Sequence, residues 1–186
     1  MINSGTEPKT LLAGLDTDWR LLALWGPPGV GKSFLARRAF PCGAGGRWVS
    51  VAFAVSADAQ EVNRQLVRAV CPGNLASDDS PRALCELLNA EAPLGLVLDD
   101  VDDSGEWLEQ VLPELLRGIP DLRVVLTSRA RPDALLWQVV GALAVEVTPF
   151  DEAAAAALFG SLARHFGAEI SEAQAPFVLQ LCHELG

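Results

Sequence analysis

Three glycines, a lysine and a serine occur at a spacing that suits the binding of phosphate groups. In the pattern G-x-x-x-x-G-K-S, Gly26, Gly29 and Gly31 permit backbone angles that other residues avoid, so successive amide N–H groups can turn toward one anion. A helix beginning after the loop would add its positive end. Lys32 would place a compact charge on β- and γ-phosphates, and the Ser33 hydroxyl would be a ligand for Mg²⁺. The pattern therefore predicts a nucleotide site.

The whole loop, together with the residue after its serine, is expected to contact the nucleotide. The apolar segment 21–25 leads into the loop as a predicted strand, which is the context that this motif requires. The residues predicted to bind the nucleotide are Gly26, Pro27, Pro28, Gly29, Val30, Gly31, Lys32, Ser33 and Phe34.

Acidic residues follow a second apolar segment, 94–98, which is typical of a central parallel strand. Asp99, at the carboxyl end of this strand, is expected to hold Mg²⁺, usually through a bound water. Asp100 is expected to orient or deprotonate an attacking water, because a general base must lie within hydrogen-bond reach of the proton it removes. Asp102 and Asp103 are interpreted as a solvated acidic turn.

An arginine after the predicted strand 122–127 completes this set. In a parallel sheet, Arg129 would lie near the γ-phosphate, where a charge-assisted contact distinguishes a triphosphate from a diphosphate. Arg131 is the second candidate, and a surface arginine that balances the acidic face is the alternative for both. The predicted catalytic residues are thus Lys32, Asp100 and Arg129, and the predicted metal ligands are Ser33 and Asp99.

Strand patterns alternate with helix patterns along most of the chain, which predicts an α/β fold. Further strands are expected at 48–55 and 143–147, with helices at 34–40, 57–70, 81–92 and 107–117. This order favours a parallel sheet in three layers with the ligand at the carboxyl ends of its strands. Residues 1–19 are interpreted as a lead-in segment, flexible or with a short helix at 9–15, and residues 20–149 as a nucleotide-binding domain. Residues 150–186, with predicted helices at 151–166 and 171–185, are the start of a small helical subdomain.

Composition argues against several other classes of protein. A net charge of −10 opposes a sequence-independent grip on nucleic acid, so no direct nucleic-acid partner is expected. The sequence contains no apolar run long enough to cross a membrane and no signal segment, so a cytoplasmic protein without membrane contact is expected. The cysteines lack zinc spacing and are expected to be reduced thiols, and His165 and His183 are expected to be structural or at the surface. The tryptophans expected to pack in the interior or on helix faces are Trp25, Trp48, Trp107 and Trp137.

With these motifs in order, the chain resembles the nucleotide-binding module of STAND signalling ATPases, the class that includes NB-ARC and NACHT proteins. Segment 26–33 looks like their Walker A motif, 46–51 resembles their "WVSVS" strand, and 96–101 resembles their "LLVLDDV" Walker B. Segment 124–129 resembles their "ILVTTR" sensor strand, and 148–159 is similar to the "PLSEEEAWELF" opening of their first helical subdomain. The match extends over most of the chain, although the upstream "GR-x-x-E" element has no counterpart in residues 1–19.

The resemblance implies an ATP/ADP switch that uses Mg²⁺. In this family, ADP holds a closed monomer, and exchange for ATP opens the protein and permits self-association. The chain ends where the family's "GLPLA" motif would begin. It is therefore expected to be a fragment or excised module whose partners include other domains of a larger protein.

Three other interpretations fit part of the pattern. The domain could be a scaffold in which bound ADP is structural and turnover is negligible. It could be a small-molecule kinase, although the arginine-rich lid that such enzymes need is missing, or an AAA+ type ATPase, although no arginine finger is identified. A slow Mg²⁺-dependent ATPase that acts as a regulatory switch is the preferred prediction.

Overall fold

A computed structural model describes residues 2–3, 18–40, 47–53, 59–71, 80–91, 94–102 and 105–165. The strands are β1 (Ile2–Asn3), β2 (Leu21–Trp25), β3 (Arg47–Ala52), β4 (Leu94–Asp99), β5 (Arg123–Ser128) and β6 (Ala142–Thr148). The helices are α1 (Lys32–Ala39), α2 (Ala59–Val70), α3 (Pro81–Ala90), α4 (Gly105–Gly118), α5 (Asp133–Leu136) and α6 (Glu152–His165).

The strands form one six-stranded sheet in the order β1-β6-β2-β5-β4-β3, and all five pairings are parallel. The strand that precedes the glycine loop, β2, lies in the interior of this sheet between β5 and β6. Strand β5 separates β2 from the acidic strand β4. The carboxyl ends of β2, β5 and β4 therefore stand side by side, and the residues that follow them share one edge of the sheet.

The central strands β2, β5 and β4 are buried on both faces, which explains why they are nearly continuously apolar rather than alternating. In β2, Leu21 and Ala23 pack into one core with α2, α3 and α4, whereas Leu22 and Leu24 pack into a second core with α1. Two helical layers thus enclose the sheet. The large apolar area removed from water on both sides stabilises the sheet, and the strand ends therefore hold the loops in fixed positions.

An aromatic cluster fixes the end of α1 against the sheet. The rings of Phe40 and Trp48 lie 4.7 Å apart between centroids, and Trp19 meets Phe40 edge-on at 5.6 Å. Trp48 also covers Gly95 on the neighbouring strand so closely that a Cβ atom at Gly95 would collide with its indole. Because α1 begins at the glycine loop, this cluster also fixes the direction of the helix whose first residues line the site.

The predicted three-layer α/β architecture is confirmed, and the differences concern its details. Helix α1 begins two residues earlier than predicted and β3 ends earlier, at Ala52. Strand β1 and helix α5 were not predicted: β1 has two residues and depends on its pairing with β6, and α5 has only four residues. The predicted helices at 9–15 and 171–185 lie outside the described residues.

Among the aromatic predictions, Trp107 is fully buried and its indole N–H donates to Asn63 over 2.7 Å. The prediction for Trp137 is wrong, because this side chain is 91% exposed at the end of the one-turn α5. Cys71 and Cys85 are free thiols, and the other two cysteines lie outside the described residues. Within the described ranges, no helix has both the length and the apolar character needed to span a bilayer.

Candidate functional site

The glycine loop joins the end of β2 to the start of α1 and depends on glycine at defined positions. Gly26 has φ of +149°, and a Cβ atom there would collide with the carbonyl oxygen of Val147 on β6. Gly29 and Gly31 have φ of +81° and +87°, in the left-handed region that glycine adopts without steric cost. Gly31 is also the N-cap of α1 and has no side chain to bond the first helical amides, so these point toward the space above the loop.

The side chain of Lys32 is folded over its own loop. Its Nζ atom donates to the carbonyl oxygens of Gly26 and Pro27 over 2.8 and 2.7 Å, and the residue is only 9% exposed. Burial lowers the pKa of Lys32, while the negative charges of Asp102, Asp100 and Asp99 act in the opposite direction. The loop carbonyls therefore already hold the ammonium group of Lys32 at the position where it could donate to a phosphate.

Asp99, the last residue of β4, receives hydrogen bonds on both carboxylate oxygens. Oδ1 accepts from the hydroxyl of Thr127 over 2.7 Å, and Oδ2 accepts from the guanidinium of Arg37 over 2.8 Å. Burial acts to raise the pKa of Asp99, but hydrogen bonds from Ser33, Thr127 and Arg37 outweigh it and hold the pKa below its ordinary value. This buried carboxylate is therefore ionised and ready to interact with a cation.

Thr127 also determines the backbone conformation of the next acidic residue. The hydroxyl that donates to Asp99 accepts from the amide of Asp100 over 2.9 Å. Asp100 has φ of +58°, a left-handed conformation that is strained for a residue other than glycine. Partial burial raises the pKa of Asp100, as do its hydrogen bond to Asp102 and the charges of Asp102 and Asp99, while Arg129 opposes them. A carboxylate with a raised pKa is better suited to accept a proton.

Arg129 follows β5 and is held by the acidic turn after β4. Its amide donates to Oδ1 of Asp102 over 2.7 Å, and its Nε lies 3.6 Å from Oδ2 of the same residue. A second guanidinium nitrogen lies 4.0 Å from Asp100, and the side chain is 61% exposed. Asp102 lies in an exposed turn, as expected, and its carboxylate in addition holds Arg129. Asp103 lies outside the described residues.

Two cavities flank the start of α1. One, of about 340 Å³, is lined by Pro28, Gly29, Lys32, Ser33, Ala52, Phe53, Asp99, Asp100, Thr127 and Arg129. The other, of about 420 Å³, is lined by Gly29, Gly31, Lys32, Ser33, Phe34 and Arg37. Lys32 and Ser33 border both cavities, so a ligand that extends from one into the other would pass over the glycine loop.

The donor set in the first cavity fits a magnesium ion. Mg²⁺ is commonly held by one or two protein oxygens while phosphates and waters supply the rest, and Ser33 and Asp99 both line this cavity. The described residues contain no group of three or more His, Cys, Asp or Glu side chains that could form a cage for a metal. The hydroxyl and the carboxylate therefore suit a metal that arrives with a polyphosphate.

The structure brings most of the predicted site residues to the two cavities. Gly26, Pro27 and Val30 line neither cavity, and the side chain of Val30 is buried in the core. Phe34 is 64% exposed and lies under the guanidinium of Arg38, with 5.7 Å from that group to the ring centroid. Arg131 pairs with Asp133 over 2.9 Å and lines neither cavity. His165 is exposed at the end of α6, and His183 lies outside the described residues.

Sequence reasoning missed Thr127 and Arg37. Thr127 is the penultimate residue of β5, and its role depends on its position beside Asp99 on the neighbouring strand. Arg37 follows Ser33 by four residues, so helical spacing alone places both side chains on one face of α1. That spacing was the available signal for Arg37. Thr127 could be found only from the order of the strands.

The chain is similar to one known protein family and to several solved structures. The NACHT domain family model matches residues 20–166. A Walker-type ATPase of Pyrococcus abyssi has a similar structure, with a TM-score of 0.64 and 16% sequence identity over 97% of this chain and 63% of that one. A STAND protein with a tetratricopeptide repeat sensor from Pyrococcus horikoshii gives a TM-score of 0.52 and 19% identity over 95% of this chain and 27% of that one.

AMPPCP-bound DnaA from Aquifex aeolicus gives a TM-score of 0.58 and 16% identity over 92% of this chain and 54% of that one. At these identities the likeness shows a shared fold, and this chain spans less than two thirds of each of the three structures. No curated protein sequence matches the chain. The family model extends over most of the chain, which therefore belongs to the NACHT domain family, within the STAND class of P-loop NTPases, and this fold implies nucleotide binding.

Proposed function

We propose that this domain binds ATP and ADP together with Mg²⁺ and acts as a nucleotide-dependent switch that hydrolyses ATP slowly. The observation that carries this proposal is the first cavity, in which Lys32, Ser33, Asp99, Asp100 and Arg129 meet from three adjacent strand ends. Two of these side chains are cationic and suit the phosphates, and two are carboxylates that suit a metal and an attacking water.

Binding begins with an exchange of partners at the loop. The ammonium group of Lys32 gives up the carbonyls of Gly26 and Pro27 for β- and γ-phosphate oxygens. Charge-assisted hydrogen bonds to phosphate are stronger than those to neutral carbonyls, so the exchange is favourable. The first amides of α1, beyond Gly31, bind the same phosphates at the positive end of the helix.

Ser33 and Asp99 are the residues that would hold the metal. When bound, Mg²⁺ would neutralise charge on the phosphates and orient them. The hydroxyl of Thr127 keeps Oδ1 of Asp99 in a fixed orientation and thereby leaves Oδ2 directed toward cations.

Hydrolysis would rely on Asp100 and Arg129. Asp100 accepts the proton of an attacking water or orients this water, and its raised pKa favours the first role. Arg129 binds the γ-phosphate after leaving Asp102, so ATP and ADP place this side chain differently. Because Asp102 already satisfies Arg129, the gain from the γ-phosphate is reduced, which is consistent with slow turnover.

The proposed output is a change in assembly. In the ATP state the domain would associate with other copies of itself and with other domains of a longer protein, in the cytoplasm. The support is membership of the STAND class and the contact of Arg129 with the acidic turn, which makes the surface beside the cavity depend on the nucleotide.

The test begins with calorimetric titration of ADP and ATP in Mg²⁺, followed by mass spectrometry of nucleotide released from the purified protein. Lys32→Ala should weaken ADP binding by roughly 10- to 100-fold, because a charge-assisted hydrogen bond from its ammonium group to phosphate is lost. Arg82→Gln is the control, since its exposed pair with Glu86 on α3 lies outside both cavities. Unchanged ADP binding in Lys32→Ala would contradict the proposal.

Turnover separates the switch from a scaffold with structural ADP. If the domain is a switch, the wild type should hydrolyse ATP over multiple turnovers. Asp100→Asn should abolish this hydrolysis and still bind ATP. Tight ADP binding without any turnover would favour the scaffold and exclude hydrolysis.

A further inference from the structure

We propose that Arg37 substitutes for the metal at Asp99: its guanidinium neutralises this carboxylate when no divalent cation is present, and Mg²⁺ must displace it to bind. Arg37 would thus set the Mg²⁺ requirement of the site. This inference rests on the proposed function, because the metal that competes with Arg37 is the one that accompanies the nucleotide.

Arg37 contacts the carboxylate oxygen of Asp99 that does not bind Thr127. The Asp99 side chain is 8% exposed, and its Oδ1 is already used by Thr127. The guanidinium of Arg37 reaches the other oxygen, Oδ2, over 2.8 Å. A metal held between Ser33 and Asp99 needs the charge of this same carboxylate, so the guanidinium and the metal are alternatives.

Arg37 can move away without disturbing the fold. Its side chain is 60% exposed, and it borders the second cavity together with Ser33 and Phe34. A displaced guanidinium therefore enters solvent or this cavity at little desolvation cost. Asp99, in contrast, is fixed at the end of a buried strand, so the carboxylate stays in place while its cation changes.

The Arg37–Asp99 ion pair should have opposite effects on nucleotide binding and on metal binding. A buried carboxylate without a cation repels phosphates and carries a desolvation penalty, so Arg37 assists nucleotide binding when metal is absent. The same ion pair has to be broken before Mg²⁺ can use Asp99, so Arg37 weakens metal binding. An arginine that served only as a phosphate ligand would assist nucleotide binding equally with and without metal.

The test compares wild type, Arg37→Gln and Arg37→Lys, with Arg82→Gln as the control that loses an exposed arginine from a carboxylate pair on α3. ADP affinity is first measured by calorimetry in EDTA. The second measurement is the Mg²⁺ concentration that gives half of the increase in ADP affinity caused by the metal. Arg37→Gln should weaken ADP binding in EDTA about tenfold and lower the half-effective Mg²⁺ concentration about tenfold, the size expected for one charge-assisted hydrogen bond. Arg37→Lys, which retains a cation, should lie closer to wild type.

The proposal would be overturned if Arg37→Gln had the same ADP affinity in EDTA and the same half-effective Mg²⁺ concentration as wild type. It would also be overturned if the variant lost ADP affinity equally in EDTA and in Mg²⁺. Titration of MnCl₂ into the nucleotide-free protein supplies a readout without nucleotide, and Arg37→Gln should bind Mn²⁺ more tightly than wild type. If wild type binds neither ADP nor ATP, the proposed function fails, whereas equal Mn²⁺ affinity in the two proteins removes the role of Arg37. Thermal unfolding of each variant verifies that it is folded.

Discussion

The hydroxyl of Thr127 lies 2.7 Å from Oδ1 of Asp99 and donates to it across the boundary between β5 and β4. The hydroxyl oxygen of Thr127 also accepts a hydrogen bond from the amide of Asp100, so one buried hydroxyl fixes both a carboxylate rotamer and a left-handed backbone. Thr127 is 1% exposed, and no solvent can replace these two bonds. Thr127 is therefore a positioning residue for the acidic half of the site.

Thr127→Val should destabilise the protein by about 2 to 4 kcal/mol, because it leaves one oxygen of Asp99 and the Asp100 amide without their partner in a buried place. Thr127→Ser keeps the hydroxyl and loses one methyl group, with a cost of about 1 kcal/mol. Urea unfolding monitored by tryptophan fluorescence measures both. Thr127→Val keeps the methyl group, so a smaller loss in Thr127→Val than in Thr127→Ser would show that packing of this group, rather than hydrogen bonding, explains the effect.

The lowered pKa of Asp99 predicts the direction of an acid effect on stability. Between the folded pKa and the ordinary value near 3.8, the unfolded chain binds more protons, so stability rises with pH through that interval. The contribution of Asp99 is complete above the unfolded pKa and is lost as pH falls through the folded pKa. Above this window it does not change, because both states are ionised.

Asp99→Asn should therefore be less stable than wild type near pH 6, and the difference in their free energies of unfolding should become smaller as the pH is lowered toward about 3 in metal-free buffer. Guanidinium unfolding at several pH values measures the difference, and Glu86→Gln, which removes an exposed carboxylate, is the control. A difference that stays constant down to the lowest pH, or widens in acid, would mean that Asp99 gains nothing from its charged partners.

Much of the fold and of the loop could be predicted, because both depend on local patterns. Glycine spacing before a helix identified the loop, and continuous apolar runs identified the buried parallel strands. The roles of Thr127 and Asp102 could not be predicted, because they depend on the register that places β5 beside β4, with Leu98 opposite Leu126. The prediction for Trp137 was wrong because a helical pattern does not show whether any element packs on it.

Glycine is required at position 26 for a different reason than at position 29. Gly26→Ala would both occupy a positive φ and collide with the carbonyl of Val147, so it should cost about 3 kcal/mol or more. Gly29 has φ of +81° with no atom within 4 Å of its would-be Cβ, so Gly29→Ala should cost about 1 kcal/mol. Denaturant midpoints of the two variants measure this contrast. Similar losses would contradict the close approach of β6 to the loop.

Arg129→Ala should weaken ATP binding about tenfold and leave ADP binding nearly unchanged, because only the γ-phosphate is expected to attract this side chain away from Asp102. Calorimetry with ADP and with a non-hydrolysable ATP analogue measures the two affinities in Mg²⁺. Arg131→Ala is the matched control, since Arg131 pairs with Asp133 and lines neither cavity. If both nucleotides lose affinity equally in Arg129→Ala, the arginine contributes only general positive charge, and recognition of the γ-phosphate must come from Lys32 and the loop amides.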